Sequence, residues 1–317
     1  MKLSSRHPTN SLHKLTSVFE DLHIASKYDG LIYLYESAYT PPILSPHQHH
    51  ELEANLIVRG SITYVLDSKR YTFHEGTLLW LFPWQKHQMV KHSGDAQFFV
   101  VVFKPKLIER ASRQGDRYNN LKNPGVEETE VLSTALKPKA FKSIRRTMES
   151  LMEDSIDPGI LNREAGFGVN TNFRFKHKDP DWLNAGLRLL LLLCWRNQGE
   201  FVSQPDEAPM HPAVLKALDV LEHGDAPTPG MDQLAALCCV STAYLSRIFH
   251  KQIGVTLGQY RNSMKLGRFW KAYHSRRQSN ITEASYAAGF GSYAQFFRVF
   301  KAAYGQGPRE FLTAPKQ

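Results

Sequence analysis

Ser-Thr-Ala-Tyr-Leu-Ser-Arg-Ile-Phe, residues 241–249, is answered 51 residues later by Ser-Tyr-Ala-Gln-Phe-Phe-Arg-Val-Phe, residues 292–300. Arg247 falls on Arg298, Phe249 on Phe300 and Leu245 on Phe296. Beyond the quoted stretch Gly254 falls on Gly305 and Tyr260 on Phe311. Self-similarity at a fixed interval means one supersecondary unit used twice. Each copy has the grammar of helix, turn, helix. In the first, a short helix over Met231–Cys238 carries apolar Leu234, Ala235 and Leu237, and Cys239 and Val240 make the turn. Ser241 then caps a second helix. Along it Leu245 and Phe249, four apart, face inward and leave Thr242, Ala243, Ser246 and Arg247 outside. In the second copy Ile281–Ala288 is the first helix and Gly289 the turn. Tyr293–Ala303 follows, with Phe296 and Phe300 inward and Arg298 outward. A basic helix from Thr256 to His274 joins the copies and can span the roughly 34 Å between successive major grooves on one DNA face.

The charge agrees. The chain has 317 residues, a length suited to two domains, and a formal net charge of +9. Residues 211–317 hold 13 Lys+Arg against 6 Asp+Glu, so most of the excess sits in the C-terminal third. Between Asp232 and Glu283 there is no acid and there are eight bases: Arg247, Lys251, Arg261, Lys265, Arg268, Lys271, Arg276 and Arg277. A solvated basic surface and a polyanion partner explain such a run equally well. The repeat decides for nucleic acid.

Residues 241–249 together with Ile-Thr-Glu-Ala-Ser-Tyr-Ala-Ala-Gly-Phe-Gly-Ser (281–292) resemble the AraC/XylS family of bacterial transcription regulators. Phe-x-Arg-x-Phe-Lys and Gly-x-Gly-Pro-x-Glu-Phe (296–311) extend the resemblance over about 100 residues. It implies double-stranded DNA as partner, with each second helix in a major groove. The base-facing positions would be Thr242, Ala243, Ser246 and Arg247, then Tyr293, Ala294, Gln295 and Arg298. Arginine reads guanine through a bidentate bond to O6 and N7, or merely clamps phosphate. The resemblance also implies contact with RNA polymerase. Two positions depart from the pattern. Cys239 stands where the second unit has Gly289, which costs about 1 kcal/mol if that turn needs a positive φ, and Gly267 lies inside the joining helix.

Residues 30–105 read as short β-strands: Leu56–Leu66, Tyr71–Phe73, Thr77–Phe82 and Phe98–Phe103, punctuated at Gly60, Asp67-Ser68, Glu75-Gly76 and Ser93-Gly94-Asp95. That predicts a small antiparallel barrel or jelly roll. Within it His47-x-His49-x3-Glu53-x6-Gly60 resembles the first metal motif of the cupin superfamily. Gly76 followed by His87 gives a partial second motif, with Trp84 where glycine is usual. On one strand His47 and His49 share a face and Glu53 stays in register. With His87 from a neighbouring strand they form a candidate cage for a divalent metal such as zinc, iron, manganese or nickel. The same histidines could instead bond a small-molecule effector or the backbone. Tyr64, Trp80, Phe82 and Trp84 are candidates to line a cavity for a sugar or small aromatic acid, or else plain core.

The expected architecture is therefore α+β with two domains. A cupin-like β-barrel followed by helices, for effector binding and dimerisation, occupies 1–200; a linker occupies 201–210; an all-α domain with two helix-turn-helix units occupies 211–317. Phe141–Glu153 has helical spacing, and Asp181 caps a helix reaching about Asn197. Leu187, Leu190, Leu191 and Cys194 on that helix suit either a homodimer interface or burial against the barrel. No apolar run approaches a membrane span, no signal peptide is visible, and three cysteines make no disulfide framework, all of which suits a cytoplasmic protein. The leading expectation is a ligand-responsive DNA-binding regulator without catalytic residues. A metal-dependent cupin enzyme with a DNA-binding appendage is the rival, and a ligand-free architectural DNA binder a third.

Overall fold

The computed structural model describes residues 22–37, 46–66, 69–112, 116–122, 130–156, 175–176, 179–199, 202–203, 210–223, 229–275 and 280–313. Most of the expected linker, residues 157–174 and Arg276 and Arg277 lie outside them. The N-terminal strands are β1 Gly30–Glu36, β2 Leu52–Arg59, β3 Ser61–Leu66, β4 Lys69–His74, β5 Thr77–Leu81, β6 His87–His92, β7 Gln97–Phe103 and β8 Val131–Ala135, with a short β9 at Val202–Ser203. They form a six-stranded sheet, β1-β7-β2-β5-β8-β9, and a three-stranded sheet, β4-β3-β6, in antiparallel register. The run read from Leu56 to Leu66 is two strands in different sheets. The chain crosses between them at Gly60, where an added Cβ would stand 2.2 Å from Ser93 Oγ.

Among the described residues most of the large sheet is buried on both faces. Along β2, Glu53 and Asn55 point toward the small sheet, and Asn55 reaches Tyr64 there. Ala54 and Leu56 point the other way, under the helices. Those helices are α1 Pro105–Ser112, α2 Asp116–Asn119, α3 Pro138–Met152 and α4 Pro180–Arg196. Ile144, Met148 and Leu151 of α3 and Leu183, Leu187, Leu190, Leu191 and Cys194 of α4 share one core with the strands. Of the two roles open to α4, its apolar row serves the barrel. Asp179, not Asp181, caps α4, accepting from the amides of Asp181 and Trp182. Trp80 pairs with Ala54 and so faces these helices: its Nε1 donates to Gln198 Oε1 at 2.8 Å and its ring meets Trp195 edge-on. It therefore does not line the interior.

The C-terminal helices are α5 Pro212–His223, α6 Met231–Leu237, α7 Thr242–Ile253, α8 Leu257–Ser275, α9 Ile281–Ala287, α10 Tyr293–Tyr304 and α11 Pro308–Thr313. The repeat is kept in detail. Ser241 and Ser292 accept from the amides of Tyr244 and Gln295 at the starts of α7 and α10. Gly254 and Gly305, at φ +85° and +76°, stop them. Each unit has its own core, around Leu245, Phe249 and Tyr260 in the first and around Phe296, Phe300 and Trp270 in the second. The long α8 contributes to both. Of Leu234, Ala235 and Leu237 on α6, the first two are buried and Leu237 is 49% exposed.

The two turns match as well. Gly289 has φ +85° and Cys239 has φ +56°, so the cysteine does occupy a left-handed position. A Cβ there costs about 1–2 kcal/mol, partly offset by the extra chain entropy that glycine loses on folding. Cys239→Gly is therefore expected to raise stability by about 0.5–1 kcal/mol, read as a higher urea midpoint at unchanged slope. An unmoved or lowered midpoint would show that the turn is not strained.

Candidate effector cage and nucleic-acid interface

The four cage residues come together from three places. Glu53 is on β2 and His87 opens β6. His47 and His49 precede β2, and His47 joins β6 by a bridge in which the amides and carbonyls of His47 and His87 exchange bonds at 3.0 Å. The two early histidines thus do not lie on one continuous strand, as the spacing suggested. The bridge brings His47 to His87 instead, with ring centroids 4.2 Å apart. One ligand nitrogen from each of His47, His49 and His87 lies within 4.8 Å of the others. Glu53 Oε2 is 3.1 Å from His49 Nε2 and 3.9 Å from His87 Nε2.

The buried polar groups show what this arrangement lacks. His87 Nδ1 faces the Gln85 carbonyl at 3.1 Å, and a carbonyl only accepts, so Nδ1 carries the proton. Nε2 is then a bare lone pair, buried and without a hydrogen-bond partner. Burial first, then the neighbouring His47, push the His87 pKa down to about 3, so the ring is neutral at neutral pH. His49 has acceptors on both sides, Glu51 O at 3.0 Å and Glu53 Oε2, although a neutral imidazole has one N–H to give. Burial alone would raise the Glu53 carboxyl. The hydrogen bond from His49 and the surrounding imidazoles outweigh it and hold the pKa at about 2. Asn55 Nδ2 donates to Glu53 Oε1 at 2.8 Å, and Asn55 Oδ1 is buried with no partner. An ionised carboxylate, a bare imidazole nitrogen and two further imidazoles form a donor set that suits a divalent transition ion.

Asn55 carries no metal-motif signal, and only its two-residue spacing from Glu53 marks it. Tyr64, a candidate for the cavity, does face Asn55, and its hydroxyl is held well above the ordinary tyrosine pKa by burial and by Glu53. Phe82 and Trp84 stack on each other at 4.8 Å.

The eight base-facing positions divide. Ala243, Arg247, Ala294 and Arg298 are exposed on the first two turns of α7 and α10. Arg247 lies over the Tyr244 ring at 5.4 Å. Ser246 is half-buried. The other three have internal work. Thr242 Oγ1 donates to Asp232 at 2.8 Å, Tyr293 packs on Phe296, and Gln295 Oε1 accepts from the Gly291 amide at 3.0 Å, closing the turn before α10. The basic run is also partly spent inside. Arg261 Nη2 donates to Pro229 O at 2.5 Å, Arg268 Nη2 to Leu221 O at 3.0 Å, and Lys265 sits over the Phe290 ring. These three cations fasten α8 to the helices around it.

Comparison with known proteins covers both halves. An AraC-like ligand binding domain matches residues 30–154 and a helix-turn-helix domain matches residues 234–314. Among solved structures, a variant of ToxT from Vibrio cholerae is 13% identical over 90% of this chain and 97% of that one, with TM-score 0.36. The AraC-like transcriptional activator CuxR is 11% identical over 84% and 83%, with TM-score 0.29. Oxalate decarboxylase from Bacillus subtilis is 18% identical over 28% and 27%, with TM-score 0.19. No curated protein matches the chain. The ligand-binding domain is thus followed by two helix-turn-helix units whose exposed arginines stand at equivalent places, and the chain belongs to the AraC/XylS family of ligand-responsive, DNA-binding transcription regulators.

Proposed function

We propose that the regulator takes its signal at the His47–His49–Glu53–His87 cage and that a divalent transition-metal ion fills it. The observation that carries this reading is the buried, unpartnered His87 Nε2 facing an ionised carboxylate. A bare buried acceptor costs about 1–3 kcal/mol, and a cation removes that cost. A metal there would supply charge neutralisation and a fixed geometry, while this chain's residues hold and orient it. Asn55 Oδ1, also buried and unpartnered, favours a second reading: an organic effector whose hydroxyl donates to it, such as a sugar or a small hydroxylated aromatic acid.

On the DNA side, Arg247 and Arg298 are the proposed base readers, flanked by Ala243 and Ala294, whose methyl groups can approach thymine. Thr242, Ser246, Tyr293 and Gln295 are proposed to shape and hold these turns. The proposed division into 1–200, 201–210 and 211–317 is supported by α5, whose apolar side belongs to the core of the first helix-turn-helix unit. Trp182 and Leu189, 57% and 60% exposed and seven residues apart on α4, supply a ridge for a homodimer. Contact with RNA polymerase belongs to the same proposal. So does a cytoplasmic location with DNA as target; among the described residues no helix is long and apolar enough to cross a membrane. The reading makes the cage a sensor and not a catalytic centre. Turnover of any substrate by metal-loaded protein would favour the cupin enzyme instead.

Two measurements test this. Arg247→Ala and Arg298→Ala are each expected to cost about 1–3 kcal/mol on the operator and to relax base preference in one groove. The exposed Lys301→Ala should weaken all sequences alike. Equal losses on operator and random duplex would reduce both arginines to phosphate clamps. For the cage, Co2+ titrated into metal-free protein is expected to give a visible absorption band that His47→Ala weakens and His87→Ala abolishes. Absence of the band in the wild-type protein would overturn the metal and leave the organic effector.

A further inference from the structure

Around Val65 and the first half of β6 the three-stranded sheet β4-β3-β6 is buried on both faces, and the faces belong to different halves of the molecule. Tyr64, Leu66 and Met89 point into the barrel core with His87. Val65 and Val90 point the other way and are part of the core of the first helix-turn-helix unit, among residues of α5 to α8. Successive side chains of a strand alternate, so around β6 the inward row is His87 and Met89 and the outward row is Lys86, Gln88 and Val90. Each outward polar group has a partner across the interface. Lys86 Nζ is 2.5 Å from Glu222 Oε2 on α5. The buried Tyr260 hydroxyl on α8 shares its one proton between two acceptors, Gln88 Oε1 at 3.0 Å and Glu222 Oε1 at 3.1 Å. At the sheet's other edge Arg70 Nη1 donates to Lys251 O at 2.9 Å and Gln252 O at 3.2 Å, the last carbonyls of α7. Helix α7 is the one whose first two turns present Ala243 and Arg247.

We propose that β6 couples the contents of the cage to the seating of the first helix-turn-helix unit, through Gln88–Tyr260 and Lys86–Glu222. The proposal rests on the cage being the effector site. The physical argument is one of size. Ligand nitrogens around a tetrahedral ion at 2.0–2.1 Å stand about 3.3 Å apart, whereas those of His47, His49 and His87 spread up to 4.8 Å. Filling the cage therefore draws the three rings together, His87 among them, by displacements on the order of 1 Å. A close-packed strand moves as a body, so Gln88, the next residue, moves with it. A displacement of that size takes a 3.0 Å hydrogen bond out of range and leaves the Tyr260 hydroxyl and the Glu222 carboxylate to find new positions. Linkage is reciprocal: whatever reseats the unit changes the affinity of the cage by the same factor.

The test is amide hydrogen exchange on the full-length protein, followed over residues 212–223 and 257–264, with Co2+ as the probe. Co2+ is expected to change exchange in these segments about tenfold, although none of them touches the cage. In Gln88→Leu/Tyr260→Phe protein, which replaces both hydrogen-bonding partners by apolar groups and keeps Lys86–Glu222, Co2+ should still give its absorption band while the response shrinks severalfold. Co2+ binding with no response in wild-type protein, or an equal response in the double variant, overturns the coupling. Should Co2+ not bind, the metal reading fails by itself. The coupling is then decided in metal-free protein by Glu53→Gln, which alters the cage from β2. A changed exchange rate over 212–223 that the double variant suppresses supports it, and an unchanged rate overturns it.

Discussion

A sheet of three strands that is covered on both sides along the first half of β6 has to satisfy its polar groups there in two directions, and much of this molecule is arranged around that requirement. The first residues of β6 cannot shed their polar side chains into water, although Lys91 further along is exposed. His87 is turned into the barrel, where its Nδ1 is satisfied by the Gln85 carbonyl and its Nε2 is left facing Glu53. Gln88 is turned outward, where only the Tyr260 hydroxyl and the α5 carboxylate are on hand. The Glu53 charge is tolerated because the His49 ring and the Asn55 amide donate to its two oxygens. The Glu222 charge, 5% exposed, is tolerated because Lys86 reaches it. Removing any one of these partners strands another, so the sensor interior and the interface with the DNA-binding half are one problem in polar satisfaction.

The sequence announced the C-terminal half and whispered the N-terminal one, for physical reasons. A helix-turn-helix unit writes itself locally: caps at Ser241 and Ser292, stops at Gly254 and Gly305, and inward aromatics four residues apart. All of these are short-range rules. The strands that stood out, such as Phe98–Phe103, are apolar because their sheet is covered on both faces by apolar partners. Strand β6, His-Gln-Met-Val-Lys-His, gave no strand signal, because neither of its faces is a simple hydrophobic one. Strand β8, Val-Leu-Ser-Thr-Ala, lies beyond a turn-rich segment and is recruited by pairing with β5, which is a tertiary decision. The cage residues were visible as motif spacing. That His47 meets His87 by a bridge, and not by sharing a strand with His49, required the fold.

Arginine and lysine in the basic run show how composition misleads by being right in sum. The net charge of residues 211–317 does mark a DNA-binding domain, but Arg261 and Arg268 spend their guanidiniums on backbone carbonyls and Lys265 covers Phe290. A long helix shared by two cores needs fastening along its length, and a guanidinium can reach past an apolar contact to a carbonyl. The two repeated arginines, Arg247 and Arg298, are exposed, and they are the ones proposed to meet bases.

The two helix-turn-helix units are alike in sequence and unlike in dependence. The second is completed by its own residues: Phe296, Phe300, Trp270, Phe290 and Phe311 come from α8 onward. The first borrows Val65 and Val90 from the sensor sheet to finish its core, and Arg70 from the same sheet to meet the carbonyls at the end of its recognition helix. It also holds a cysteine in the left-handed turn that its twin fills with glycine. Each difference lowers what the first unit can supply alone and raises what the sensor supplies to it. A regulator gains control only over an element whose stability or position is not already settled, since an effector shifts an equilibrium by no more than its differential affinity for the two arrangements. By that criterion the first unit, and not the self-completed second, is the one that the proposed coupling can govern.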